Sequence, residues 1–307
     1  MLLEKQIEHI KDERVRRAVR VEALIISILR DYFMEGGFVE LLPVIISKVT
    51  DPLTTVKTSA EIEISGHKLK LTKSMIFHKQ LALFAFDRIF VFSPNLRLED
   101  PERVSTGRHL LEFVQLDVEI KNGKREEVMN LIEEMLDYLL VKLKDTARED
   151  LEFFGRLDLD LKPPFRRITY REAVSRYGED YEEALSSKST KPVWVTDFPE
   201  SYREFYYKSD SQSRHMYDFD LLYPEGFGEA VSGGEREDDP ASVLRKLSER
   251  SEIELGSFYL TLIESGLPPS CGFGIGIERL TRFICGLKHV KYARLFPKLP
   301  GLKDFSI

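Results

Sequence analysis

Cysteine is scarce: Cys271 and Cys285 are the only two in 307 residues. Two thiols build no disulfide framework and supply too few ligands for a structural zinc site, so both are expected to be reduced and outside the chemistry. No stretch approaches the roughly 18 consecutive apolar residues that span a bilayer. The start, Met1-Leu2-Leu3-Glu4-Lys5, runs into charged sequence and lacks the apolar core and small-residue cleavage site of a secretory leader. A cytoplasmic location, with no membrane partner, is expected. Positive charge is not in excess either: 45 Lys and Arg against 52 Asp and Glu leave a net charge of −7. Phosphate neutralisation supplies most nonspecific affinity for nucleic acid, so that balance argues against a polyphosphate backbone as the default partner. Internal repeats, low-complexity tracts and linkers are also missing, as are a glutaminase-like domain and an N-terminal Cys nucleophile.

What is present is a soluble globular composition, 42 % hydrophobic and 32 % charged. Val15, Ala18, Val19, Ala23, Ile26, Leu29 and Phe33 recur at helical spacing, and Gly36-Gly37 stops the helix. A short strand at 38–43 closes on Pro43. Strand-like runs at 89–99 and 111–121 flank the polar stretch 100–109, a long hairpin loop of the kind that tends to be functional. A helix is expected at 126–144. Thr169 to Glu172 reads as a capping box opening another. Further strands are expected at 193–196, 205–207 and 219–223, a charged helix from about Ala241 to Glu254, and a last helix from Ile277 to about Cys285. The economical reading is one α+β domain, residues 1–307, built around an antiparallel sheet flanked by helices.

Two segments carry candidate chemistry. In Gly272-Phe273-Gly274-Ile275-Gly276-Ile277-Glu278-Arg279, alternate glycines let backbone lie close to a flat or phosphorylated ligand. Arg279, just inside the helix, can stack on a ring or clamp a phosphate. Alone, the pattern fits a glycine-rich turn into an amphipathic helix equally well. The second segment is the strand ending Leu96-Arg97-Leu98-Glu99, followed by Arg108-His109-Leu110-Leu111-Glu112-Phe113. Alternation puts Arg97 and Glu99 on one face. With Arg108, His109, Glu112 and Phe113 returning beside them, the sheet offers cations for phosphates, a carboxylate for an amino group and a ring to stack on a base.

These two segments resemble the second and third signature motifs of class II aminoacyl-tRNA synthetases, and the helix and strand ending at Pro43 resemble the first. Ser74 to Gln80, Thr196-Asp197-Phe198-Pro199, Phe205-Tyr206-Tyr207-Lys208 and Gly228 to Arg236 narrow the resemblance to the aspartyl/asparaginyl subgroup, and it covers essentially the whole chain. The resemblance implies ATP and Mg²⁺ as cofactors. Arg97, Glu229 and Arg279 would be the catalytic residues. Arg97 would hold the α-phosphate and the reacting carboxylate. Phe113 and Arg279 would sandwich adenine, Arg108 and His109 would reach the outer phosphates, and Glu99 and Gly276 would complete the ATP site. Asp220, Glu229 and Ser232 would hold Mg²⁺. Lys79 and Arg236 would grip the far carboxylate of the amino acid, with Asp117, Ser232 and Gly233 in the same pocket. A homodimer paired through the first motif is implied.

The chain departs from the family in two places. The first motif begins within twenty residues of Met1, leaving no room for an N-terminal anticodon-binding barrel. The family's glutamate-plus-glycines loop is here Thr50-Asp51-Pro52-Leu53-Thr54, and its Q-S-P-Q stretch is Lys73-Ser74-Met75-Ile76, so the usual contacts to the substrate's α-amino group look lost. These departures lead to a specific expectation: a member similar to the archaeal-type asparagine synthetases related to asparaginyl-tRNA synthetase. It would make asparagine from aspartate, ATP and ammonia through a β-aspartyl adenylate, releasing AMP and pyrophosphate, and tRNA binding is not expected. The alternative is the catalytic domain of an asparaginyl- or aspartyl-tRNA synthetase charging tRNA, with Lys288, Lys291, Arg294 and Lys298 as its best support.

Overall fold

The computed structural model describes residues 2–301 apart from 54, 55, 57, 251 and 252. Its first half runs α1 (Leu2–Lys11), α2 (Glu13–Glu35), β1 (Val39–Glu40), β2 (Ile46–Ser47), β3 (Glu61–Ile64), β4 (His67–Leu71), α3 (Ile76–Ala82), β5 (Arg88–Leu96), β6 (Glu112–Lys121), α4 (Arg125–Thr146) and α5 (Arg148–Phe153). The second runs β7 (Arg166–Thr169), α6 (Tyr170–Tyr177), α7 (Tyr181–Lys188), β8 (Val193–Thr196), β9 (Asp218–Tyr223), β10 (Gly228–Glu235), α8 (Pro240–Arg250), α9 (Ile253–Glu264), β11 (Ser270–Gly276) and α10 (Ile277–Ile284).

The long helix α2 starts where the Asp12 carboxylate accepts the Arg14 amide, and it buries Val15, Ala18, Val21, Ile25, Leu29 and Phe33. That stripe and the one on α4 (Val128, Ile132, Met135, Leu136, Leu139, Leu143) join Phe90, Leu116, Val118, Phe219 and Phe273 of the sheet in one core. Residues 114–121 alternate strictly, so Leu116, Val118 and Ile120 face this core while Gln115, Asp117 and Glu119 face away from it. The helices thus claim one face of the sheet and leave a polar face on the other.

The sheet has eight strands in the order β1-β5-β6-β11-β10-β9-β8-β7. Its interior pairs are antiparallel, as expected, but both edge pairs, β1 with β5 and β7 with β8, are parallel. A parallel pair needs a crossover connection, and α6 with α7 supplies it between β7 and β8. A small second sheet, β2-β4-β3, precedes α3. The Thr169–Glu172 capping box is formed as read from the sequence.

Three local expectations change. Residues 97–99 lie past the end of β5, and residues 205–207 make a single bridge, Tyr207 to Arg236, in place of a strand. Phe205, Tyr206 and Tyr207 pack instead with Phe77, Val243, Leu247 and Tyr259 in a second core cluster. The one helix expected from Ala241 to Glu254 is two, α8 and α9. No described helix is long and apolar enough to cross a membrane. Cys271 and Cys285 are buried free thiols.

Candidate active site

The polar face of the sheet opens into a cavity of about 250 Å³, walled by residues from β6, β10 and β11, by α3 and α10, by the 97–110 segment that follows β5 and by the loops at 51–53 and 202–207. Twelve of the residues singled out from the sequence line it: Lys79, Arg97, Glu99, Arg108, His109, Phe113, Asp117, Glu229, Ser232, Arg236, Gly276 and Arg279. Asp220 and Gly233 do not. A Cβ on Gly233 would stand 2.5 Å from the Gly272 carbonyl and 2.7 Å from Phe219, so this glycine serves close packing behind the cavity. Gly272 and Gly274 likewise admit neighbouring side chains: a Cβ there would meet Glu119 Oε2 at 2.1 Å and Gln115 Nε2 at 1.8 Å. The alternate glycines therefore make room for the polar side chains of β6.

Those side chains build one end of the cavity. Lys79 Nζ donates to Asp117 Oδ1 at 3.2 Å and to the Phe273 carbonyl at 3.1 Å, and lies 3.3 Å from Glu119. Arg236 meets Glu119 with a two-pronged pair, Nε and Nη2 donating at 2.9 and 3.0 Å. Burial by itself would raise the Glu119 carboxyl; Arg236 and Lys79 outweigh it and hold it below the ordinary value. Two formal positive charges thus already face two negative ones. Lys79 and Arg236, expected to grip a substrate carboxylate, line the cavity already paired with Asp117 and Glu119. Two buried polar atoms of the cluster remain without hydrogen-bond partners: Arg236 Nη1, a donor, and Asp117 Oδ2, an acceptor. Glu119 is marked in the sequence by the strict alternation of residues 114–121 that also marks Asp117.

Cations gather at the other end. Arg97 donates to the Lys73 carbonyl and to Gln115 Oε1, both at 3.2 Å, and its guanidinium lies 4.9 Å from the centre of the Phe113 ring. Arg279 donates to the Arg108 carbonyl at 3.2 Å and pairs with Glu229 at 3.4 Å. Arg108 is engaged by Glu182 of α7, and Glu99 lies 3.8 Å from Arg103. His109 is buried, with Nδ1 2.6 Å from the Thr106 hydroxyl. Burial, then Arg279 and Arg108, push its pKa down to about 3. His109 is therefore a neutral ring whose Nε2 accepts from Arg103 at 3.3 Å and whose Nδ1 N–H donates to Thr106, since the Thr106 hydroxyl is given to the Arg103 carbonyl.

Glu229 and Ser232 present oxygens to the cavity, and Asp220 lies directly across the β9–β10 ladder from Ser232. Arg203, which the sequence reading passed over, donates to Asp220 Oδ1 at 2.8 Å and to Ser232 Oγ at 3.3 Å, and also engages Asp218. Burial pushes the Asp220 carboxyl up to about 7, with Glu229 and Asp218 adding to the rise and Arg203 opposing it. Glu229 and Ser232 suit a hard divalent cation that also takes phosphate oxygens. Asp220, turned to Arg203, departs from the expected ligand set. Among the described residues no three His, Cys, Asp or Glu side chains cluster as a metal site.

Outside the cavity, Arg294 is turned inward, pairing with Glu278 and, at 2.9 Å, with Glu112. It cannot contribute to a basic stripe with Lys288, Lys291 and Lys298. Within 50–54, Asp51 and Leu53 line the cavity; Thr54 lies outside the described residues.

The family model for class II tRNA synthetases (D, K and N) matches residues 1–300. The chain belongs to that family. It is 28 % identical to the asparagine–tRNA ligase of Thermococcus kodakarensis over 98 % of this chain and 73 % of that protein. The asparagine–tRNA ligase of Thermus thermophilus is 32 % identical over 88 % of this chain and 67 % of its own length. The fold superposes with a TM-score of 0.88 on asparaginyl-tRNA synthetase from Pyrococcus horikoshii complexed with asparaginyl-adenylate, at 26 % identity over 98 % of this chain and 72 % of that one. The class II catalytic fold inferred from the motifs is therefore present, and the chain is an enzyme of the synthetase–ligase family. The same relatives overturn the more specific expectation. They are tRNA ligases over nearly the whole of this chain, which favours tRNA charging over ammonia-dependent asparagine synthesis. The expectation that tRNA is not a partner falls with it.

Proposed function

We propose that this chain activates asparagine with ATP, forming asparaginyl adenylate and pyrophosphate, and passes the asparaginyl group to tRNA. The observation that carries the amino-acid assignment is the pair of unpartnered buried atoms, Arg236 Nη1 and Asp117 Oδ2. A carboxamide has one oxygen to accept from the first and one NH₂ to donate to the second. A carboxylate satisfies the arginine but meets Asp117 with a like charge, in a cluster whose formal charges already balance. The tRNA half rests on the named activity of the relatives.

In this reading the α-carboxylate attacks the α-phosphorus in line, the P–O bond to pyrophosphate breaks, and no protein nucleophile takes part. Arg97 lies where its planar fork can steady both the attacking carboxylate and the charge on phosphorus. Phe113 and Arg279 would receive the adenine, with Glu99 and Gly276 beside it. Arg108 would take the outer phosphates once released from Glu182, with His109 beside it holding Arg103 through Nε2. Mg²⁺, held by Glu229 and Ser232 together with phosphate oxygens, would supply charge neutralisation. A terminal hydroxyl of tRNA then attacks the activated carbonyl and AMP leaves. The exposed Leu42 and Ile45 beside β1, 90 % and 57 % accessible, support pairing of two copies across this face.

The test is pyrophosphate exchange into ATP with asparagine or aspartate, followed by charging of tRNA. Asparagine-dependent exchange that exceeds aspartate-dependent exchange, then asparaginyl-tRNA, is expected. Exchange with aspartate alone overturns the amino-acid assignment; adenylate without transfer to any tRNA overturns the acceptor.

A further inference from the structure

Three arginines act on one another at the end of the cavity assigned to the outer phosphates: Arg108, Arg279 and Arg282. Arg108 is engaged by Glu182, and Arg279 pairs with Glu229. Arg282 stands one turn beyond Arg279 on α10 and is 8 % exposed. It donates to two backbone carbonyls, Phe227 at 3.2 Å and Lys288 at 3.4 Å, and its guanidinium lies 4.8 Å from the centre of the Phe227 ring. Its buried Nε has no hydrogen-bond partner. Burial, then Arg279 and Arg108, push its pKa down to about 10. Arg156 leans on the same ring from 5.8 Å and pairs with Glu225 at 2.7 Å. Among the described residues Arg282 has no such carboxylate.

A buried cation without a counter-ion is costly, and folding alone gives no reason to keep one. Its two carbonyls show where it acts. Phe227 precedes Gly228, which has a φ of +75° and whose missing Cβ makes room for Arg108 Nη1. Lys288 backs Gly107, the residue before Arg108: a Cβ on Gly107 would meet the Lys288 carbonyl at 3.0 Å, and the Gly107 carbonyl accepts the Val290 amide at 2.8 Å. Arg282 thus ties together the two backbone segments that seat Arg108. We propose that Arg282 is a positioning residue for the triphosphate end of the ATP site, holding the seat of Arg108 and adding one uncompensated positive charge beside Arg108 and Arg279. This deepens the ATP half of the function proposed above and rests on it. Arg282 does not line the cavity, so it acts through Arg108 and through its field, which buried surroundings screen little. Glu182 and Glu229 already balance Arg108 and Arg279, so the surplus that favours a polyanion is the charge of Arg282. The β- and γ-phosphates gain from it, as does the charge that builds on pyrophosphate as it leaves.

The test titrates the chain with Mg²⁺–ATP, pyrophosphate and AMP by calorimetry. Arg282→Met is expected to weaken ATP and pyrophosphate by about tenfold or more, with AMP within about twofold. Arg282→Lys, which keeps the charge, is expected to lose about threefold or less. Arg156→Met removes the other arginine on the Phe227 ring and is expected to leave the ATP-to-AMP affinity ratio within about twofold of wild type. An unchanged ratio in Arg282→Met overturns the proposal. Equal weakening of ATP and AMP with a lower melting temperature overturns it too, because Arg282 then only braces the fold. A Lys variant as weak as the Met variant overturns the role given to the charge. A wild-type chain that binds ATP no more tightly than AMP overturns the ATP reading itself, so the two failures are distinguishable.

Discussion

Glu229 and Ser232 face the same cavity although they stand three positions apart along β10. In a regular strand an odd separation sends two side chains to opposite faces. The register against β9 steps from Glu229–Leu222 to Val231–Leu221, so Ala230 is accommodated as a bulge and the alternation is re-phased. Ser232 then falls opposite Asp220, and both oxygens wanted for a divalent cation lie on the cavity side. Glu229→Gln should therefore raise the Mg²⁺ concentration for half-maximal exchange by about tenfold, the loss of one charged ligand. Deleting Ala230 removes the bulge but leaves Glu229 two positions from Ser232, so a regular strand keeps both on the cavity face and exchange should fall by less than about tenfold. A Mg²⁺ titration of exchange, with circular dichroism for the deletion, checks both.

Arg97 meets the Lys73 carbonyl, Gln115 and the Phe113 face at once, which only a planar fork can do. Arg97→Lys keeps the charge and loses that geometry. The expected result is a fall in kcat of about 10²-fold with a smaller change in KM for ATP, because the lost contacts matter most as charge develops on phosphorus.

Asp117 is the acceptor that separates amide from carboxylate in the proposed site. Asp117→Asn places a possible donor there and removes one negative charge. The preference for asparagine over aspartate in kcat/KM should shrink by about tenfold to a hundredfold. Exchange measured with both amino acids reports it, and an unchanged preference would remove Asp117 from the specificity argument.

Arg294 neutralises Glu278, a carboxylate 2 % exposed that also accepts the Val114 amide at 3.0 Å. Burial raises the Glu278 carboxyl even with that partner in place. Arg294→Ala should cost about 3 kcal/mol, the usual penalty for stranding a buried charge, whereas Glu278→Gln with Arg294→Met should cost less than that. Urea unfolding of the two variants decides between them.

Much of this architecture is written in local pattern. The apolar spacing of 15–33, the Thr169–Glu172 capping box and the alternation through Gln115, Asp117 and Glu119 need no partner to be recognised, because helix and strand periods are local properties of the backbone. The motifs around Arg97, Glu229 and Arg279 likewise name the cavity. What local pattern cannot show is who stands beside whom. Net charge is a sum over the whole chain and says little about one face, so a value of −7 does not decide whether a polyanion can dock. Arg294 looks like surface charge until Glu278 and Glu112 are placed around it. That Lys79 pairs with Asp117 and Arg236 with Glu119 is likewise visible only once the strands are assembled.

The amino-acid sequence by itself determined the element types, the polar face of β6 and the family. Tertiary structure alone decided the bulge that brings Glu229 and Ser232 together, the assignment of Arg203 to Asp220, and the meeting of Arg282 with Arg108. The physical reason is range: periodicity acts over one helical turn or one strand pair, whereas electrostatic balance acts between whatever groups the fold brings within a few ångströms.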